Sequence, residues 1–502
     1  MRHVAQGGDK MDEGAGNPSV APAEAKTGHF ARELGLIDAT ALVVGSMIGS
    51  GIFIVSAETA RQVGSPGWLL MCWLLAGVLT IVAAVCYSEL AAMYPRAGGQ
   101  YVFLREAYGP LAGFLYGWTL FTVIQCGTIA AVAVAFAKFL GVFVPFVSNT
   151  NVLISLPFWK FTVVQLISVI LILFLTALNC RGVHTAKLIQ TTFTVTKIAA
   201  LAGLILLGLS CGKFAGLPGN LVDFWQPHEL NGNPIDGVKF LAVLGLAMVG
   251  ALFSCDAWNN ITFASEEVKN AEKVLPRSLA LGTGLVVLIY LLANVVYLLL
   301  LPLHGTAAGA TVVERGIAFA AEDRVGTAAA EIIFGPAGKG IMAAAIMIST
   351  FGCLNGLILA GPRAYYAMAR DGLFFKGCGE LNVLTNVPVY GLILQGFWAC
   401  LLATSGTYSN LLEYVVFAAL LFYVLAVGAV LILRRTQADR PRPFKVPAYP
   451  FLPAAYILAA SAVLVGQFIL SPKYSGAGLL IILSGLPAYF LWRRKREGGQ
   501  AR

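Results

Sequence analysis

Two stretches of this sequence place flexible or polar residues where an apolar helix would otherwise run unbroken. In Ala39-Thr-Ala-Leu-Val-Val-Gly-Ser-Met-Ile-Gly-Ser-Gly-Ile-Phe53, the residues Gly45, Ser46, Gly49, Ser50 and Gly51 cluster together. Glycine weakens a helix interior by about 1 kcal/mol relative to alanine. In Gly250-Ala-Leu-Phe-Ser-Cys-Asp-Ala-Trp-Asn-Asn-Ile261, the residues Asp256, Asn259 and Asn260 interrupt a second apolar run. A helix opened at Gly49 to Gly51 aims the free N–H groups and positive dipole end of the following half, starting near Ile52, at an interior site, which suits a carboxylate. A break near Ser254 to Asp256 leaves main-chain carbonyls at the end of the preceding half, which suits an ammonium. The two breaks together describe the ends of a zwitterion. Taken alone, the small residues of the first stretch fit close helix packing equally well.

A third candidate is Lys197, in Gln190-Thr-Thr-Phe-Thr-Val-Thr-Lys-Ile-Ala-Ala200. It lies about ten residues from the nearer end of its helix, or about 15 Å along a straight axis, too deep to reach the headgroups by extending its stem. An ammonium there must find partners or give up its proton, and both alternatives stay open at this point.

The elements that must position these residues are membrane helices. Hydrophobic residues make up 58% of the chain and charged residues 12%, too little charge for a water-solvated surface of this size. Apolar runs of about 20 residues match a hydrocarbon core about 30 Å thick. Twelve spans are expected, at 36–60, 67–94, 113–137, 159–179, 186–209, 240–264, 279–301, 341–366, 389–405, 411–433, 450–470 and 476–492. An even number returns both termini to one side. Of the 34 Lys and Arg residues, 24 fall in the tails and loops of that side, which assigns it to the cytoplasm. Residues 1–32 read as a disordered cytoplasmic tail, 33–435 as a ten-helix transport core, and 436–502 as two further helices with a basic cytoplasmic end. The dispersed basic charge gives no reason to expect a nucleic-acid partner. Nine cysteines without metal-ligand spacing read as buried apolar groups, and no metal or cofactor is expected.

The chain resembles the amino acid, polyamine and organocation superfamily, and within it the L-type amino acid transporter family. The resemblance is carried by four motifs: Gly45-Ser-Met-Ile-Gly-Ser-Gly-Ile-Phe53; Cys86-Tyr-Ser-Glu-Leu90 with Gly98-Gly-Gln-Tyr101; Phe253-Ser-Cys-Asp-Ala-Trp-Asn259 with Glu266-Glu267; and Phe351-Gly-Cys-Leu-Asn-Gly356 with Arg363. It extends from about residue 30 through Arg440-Pro-Arg-Pro-Phe-Lys445 to the last helices. It implies the LeuT-like fold, an inverted repeat of five plus five helices in which the first and sixth are discontinuous.

The resemblance further implies that the substrate carboxylate meets the N–H groups of Ser50 and Gly51, and that the amine meets carbonyls near Met47, Phe253 and Asp256. Ile48, Gly49, Ser254 and Asn259 complete the expected pocket, and Phe253 is its expected gate. Asn259 is alternatively a repair of unwound backbone, and Asp256 alternatively a structural carboxylate. Lys197 matches a lysine standing where sodium-coupled relatives hold a cation, which implies sodium independence. The function implied is exchange of neutral L-amino acids by alternating access in a bacterial plasma membrane. Proton symport of amino acids or polyamines with a titrating Lys197 is the alternative, and a sensor or channel on the same scaffold the non-carrier one. The expected loop 141–157 holds no cysteine, so no disulfide-linked heavy chain is expected. All five histidines (His3, His29, His184, His228, His304) lie at membrane edges or in tails, and no nucleophile-and-base motif falls in a span, which leaves little room for an enzyme.

Overall fold

The computed structural model describes residues 32–157, 159–230, 232–405 and 408–500. The expected disordered tail therefore lies outside the described residues but for Arg32. Among the described residues, eight helices are long and apolar enough to cross a membrane, and the pair Leu36–Met47 and Gly51–Val63, bent by 41°, makes a ninth candidate. The three other expected spans appear as shorter apolar helices, Val163–Asn179, Lys239–Ser254 and Val389–Ser405. A helix of 17 residues such as Val163–Asn179 is about 26 Å long.

Several boundaries differ from expectation. The eighth expected span, 341–366, is the helix Pro336–Arg370, which starts earlier because Pro336 occupies its first turn, where a missing N–H costs nothing. A helix not expected at all, Gln100–Tyr108, follows Pro66–Met93. A ten-residue apolar helix, Val325–Phe334, precedes Pro336–Arg370. Among the described residues the architecture is all-helical as expected but for one small hairpin, in which Val152–Leu156 pairs antiparallel with Trp159–Thr162, so the helix of the fourth expected span starts at Val163 rather than at 159. Val152 and Ile154 supply β-branched residues that a strand favours.

The bundle packs tightly. Helix Pro66–Met93 lies along Ala271–Leu300, and a Cβ at Gly77 would sit 2.4 Å from Val287, so the two backbones approach only because position 77 has no side chain. The halves of the first bent pair have different neighbours. Leu36–Met47 packs on Ala271–Leu300, Val183–Ser210 and Pro336–Arg370, whereas Gly51–Val63 packs on Gly237–Ser254 and Val325–Phe334. Inside Pro336–Arg370, Pro362 lacks the N–H that would bond Ile358. Gln395 Nε2 donates to that carbonyl at 3.1 Å, and Gln125 Nε2 to the neighbouring Leu357 carbonyl at 2.8 Å.

Ion pairs close one end of the bundle. Glu89, 1% exposed, accepts from Arg434 at 2.9 and 2.6 Å and from the Val446 amide at 2.7 Å. Arg363 Nε donates to Glu267 at 2.8 Å, both side chains being buried. Next to it, the Leu34 amide donates to the Glu267 carbonyl at 2.9 Å, which ties the start of the core to the segment after the second break. Removing one partner of such a pair leaves a buried charge and destabilises by about 3–5 kcal/mol. Arg363→Leu is therefore expected to lower the thermal unfolding temperature of the detergent-solubilised protein sharply. An unchanged unfolding temperature would show that the pair carries no net stability.

Candidate functional site

The first interruption follows from its residues. Helix Leu36–Met47 ends where Ile48 turns to an extended conformation (φ −74°, ψ 91°), and Gly51 starts the next helix. The break therefore covers Ile48 to Ser50, one residue earlier than expected. The second break is longer than expected. Helix Gly237–Ser254 stops, Ala257 adopts a left-handed φ of 66°, and only Asn260–Phe263 resumes. A left-handed L-residue costs about 1–2 kcal/mol. Trp258 next to it is wedged between Tyr87 and Tyr423, with ring centroids 4.7 and 5.4 Å away, and this aromatic packing offsets the strain.

The carbonyls freed at the first break are all engaged. Lys197 Nζ, 1% exposed, donates to Gly45 O at 2.7 Å and to Ile48 O at 2.8 Å. Ser349 Oγ lies 3.2 and 3.3 Å from the Ile48 and Gly49 carbonyls, and the Cys353 thiol donates to Ser46 O at 3.1 Å. The Tyr290 hydroxyl sits between Met47 O at 3.0 Å and Ser254 O at 3.2 Å, so it spans both breaks with a single proton. Three helices thus hold the first break: Val183–Ser210 through Lys197, Ala271–Leu300 through Tyr290, and Pro336–Arg370 through Ser349 and Cys353.

The two breaks touch. A Cβ at Gly51 would lie 2.1 Å from Ser254 Oγ and 2.8 Å from Ser254 Cβ, so the first turn of Gly51–Val63 abuts the end of Gly237–Ser254. Ser254 Oγ itself donates back to Gly250 O at 2.8 Å. The structure therefore brings Met47, Ile48, Gly49, Ser50, Gly51, Ser254 and Lys197 into one neighbourhood. Phe253 stands in the last turn before the second break, 7% exposed, and its carbonyl accepts from the Asp256 amide at 3.1 Å. A carbonyl has two lone pairs, so the Tyr290 bond leaves acceptor capacity at Met47.

Asp256 and Asn259 face another direction. Asp256 accepts from the Tyr423 hydroxyl and from the Ala257 amide. Asn259 Nδ2 donates to Gln100 at 3.2 Å. Both line a narrow space shared with Tyr116, Gln125, Leu357 and Tyr423. This space opens beside a π-turn, Leu120–Ile124, whose extra residue shifts the side chains that follow it. Tyr290, Ser349, Tyr423 and Gln125 escaped the sequence reading; the signal they offered was a polar side chain inside a long apolar run. Among the described residues, no group of three or more His, Cys, Asp or Glu is placed to hold a metal ion.

Comparison with known proteins covers the whole of this region. The chain is 30% identical over 495 residues to large neutral amino acids transporter small subunit 2 of Mus musculus, spanning 96% of this chain and 86% of that protein. It is 30% identical over 471 residues to b(0,+)-type amino acid transporter 1 of Mus musculus, with 93% and 89% covered. The serine/threonine exchanger SteT of Bacillus subtilis (strain 168) is 30% identical over 467 residues, with 93% and 98% covered. Residues 34–486 match the family described as amino acid permease, a stretch that contains both breaks, Lys197 and the helices that hold them. From Leu34 to its last helices, the chain belongs to the amino acid permease family, in its L-type branch.

Proposed function

We propose that the protein is a sodium-independent exchanger of neutral L-amino acids that works by alternating access around its two helix breaks. The observation that carries this reading is the contact of the breaks at Gly51 and Ser254, which brings the amide end of one half-helix next to the carbonyl end of another, the pair of groups that a zwitterion's two charges call for. The substrate carboxylate meets the amides of Ser50 and Gly51, and the ammonium meets the carbonyls of Met47, Phe253 and Asp256. Phe253 closes the path above. Neutral substrates fit because the Tyr423 hydroxyl and the Ala257 amide already engage the Asp256 carboxylate, so it is not left to recruit a cationic side chain. The ammonium of Lys197 supplies the positive charge that helix-one carbonyls would otherwise draw from a metal cation, which supports sodium independence.

In this reading the twelve segments all cross a bacterial plasma membrane, with both termini cytoplasmic and helices one to five related to six to ten by inversion. Residues 141–157 hold no cysteine, which supports function without a disulfide-linked heavy chain. The names of the relatives, which include a neutral amino acid transporter and a serine/threonine exchanger, agree with exchange.

The test is counterflow in proteoliposomes. Labelled neutral amino acid outside is expected to accumulate only when unlabelled amino acid is loaded inside, with no change when choline replaces sodium. Uptake into empty vesicles driven by an inward proton gradient would replace exchange with symport. Competition by arginine at the potency of a neutral amino acid would overturn the neutral assignment.

A further inference from the structure

At the end of the bundle opposite Leu34 lies a solvent-open cavity that the transport reading does not use. Its position follows from connectivity: Leu34 bonds to the start of the segment that leads into Ala271–Leu300, whereas the cavity is built after that helix ends. Arg315, Arg324, Thr327, Glu331 and Lys339 line it. Three cations and one carboxylate give a positive lining, and the N-terminus of helix Val325–Phe334, which no side chain caps, adds the positive end of its dipole.

Two buried donors in its wall are suited to an acceptor in the cavity. Thr327 is 5% exposed, and its Oγ1 has no partner among the described residues. Arg324 donates through Nη2 to the Lys138 carbonyl at 2.7 Å and lies over the Phe139 ring at 5.7 Å, yet its Nε is buried without an acceptor among the described residues. A buried donor left unmade costs about 1–3 kcal/mol, and more for a charged group. An acceptor placed in the cavity would recover that energy at both atoms.

We propose that this cavity binds a small monocarboxylate, including the carboxylate end of a free amino acid, with Arg324, Thr327 and the first turn of Val325–Phe334 as donors. A planar guanidinium matches a carboxylate better than a spherical ion. Glu331 opposes dianions such as phosphate and offers an acceptor to an ammonium. The space exceeds what a halide needs. The site is separate from the two helix breaks, so it stands or falls independently of the exchange reading.

The test uses the full chain in nanodiscs and trifluoroacetate as a ¹⁹F probe, followed by line broadening and displaced by propionate or alanine. Wild type is expected to broaden the signal saturably. Thr327→Val, which keeps side-chain volume and removes only the hydroxyl, and Arg324→Gln are each expected to weaken binding at least tenfold. Gly51→Ala, which blocks the contact between the breaks, is expected to leave it unchanged. The proposal is overturned if no broadening occurs, if broadening survives Thr327→Val, if chloride or phosphate displaces the probe as well as propionate does, or if Gly51→Ala alone removes binding. Failure of counterflow with intact probe binding would refute exchange and leave this site standing.

Discussion

Gly51→Ala abolishes amino acid exchange in proteoliposomes, with a fall of about 100-fold or more, while the protein still inserts and folds. The added methyl would stand 2.1 Å from Ser254 Oγ and 2.8 Å from Ser254 Cβ, distances that no van der Waals contact tolerates, and a tight 3.1 Å from Ser254 Cα. Rotating Ser254 relieves only the hydroxyl; the contact with Ser254 Cβ, which no rotation removes, forces the two breaks apart by several tenths of an ångström to about an ångström. Misplacing a binding group by about 1 Å costs on the order of 100-fold in rate. The double variant Gly51→Ala with Ser254→Gly removes the clashing side chain and is expected to recover part of the activity, a coupling that only touching residues show. Exchange at the wild-type rate in Gly51→Ala would refute a headgroup site between the breaks.

Lys197→Met is the second large effect expected, a loss of at least tenfold in exchange rate. Methionine nearly matches the length of the lysine stem but carries no donor. It strips the bonds now made to Gly45 O and Ile48 O at 2.7 and 2.8 Å. Ser349 still reaches Ile48 O, whereas Gly45 O loses its side-chain donor, an unmade bond of about 1–3 kcal/mol in the interior. The first half-helix then tilts more freely, so substrate occupancy no longer governs its position. Exchange measured across pH and sodium concentration separates the consequences: a variant that gains sodium dependence has replaced the ammonium by a metal cation. Full flux with unchanged coupling in Lys197→Met would remove Lys197 from the mechanism.

The breaks were legible in the sequence because the residues that cause them are local. Gly49, Ser50 and Gly51 advertise a weak helix wherever they stand in an apolar run, and the observed interruption at Ile48 to Ser50 lies one residue from that expectation. The second break runs past Asp256, where its local signal ends, because its extent is set from outside. The left-handed turn at Ala257 is held by Trp258 between two tyrosines from distant helices, and no local pattern announces such packing. Lys197 was conspicuous as a charge at depth, and its partners turned out to be main-chain atoms of the first break. Tyr290 and Ser349 were invisible for the opposite reason: a lone hydroxyl in a long apolar helix looks the same whether it bonds its own backbone or a neighbour's. The hairpin at Val152–Leu156 and Trp159–Thr162 escaped because strands of five and four residues, the first apolar at four of its five positions and exposed throughout, carry no two-residue period to set them apart from helical spans.

The Tyr290 hydroxyl has a consequence for how the two broken helices part company. One proton serves two oxygens, Met47 O and Ser254 O, at nearly equal range. If the helices separate, the phenol follows one of them and the rotor turns, so the departing side forfeits half of a shared interaction, less than the roughly 1 kcal/mol of a full hydrogen bond. Tyr290 thus behaves as a slipping clutch: it keeps the halves in register at rest and lets either ride away with little resistance.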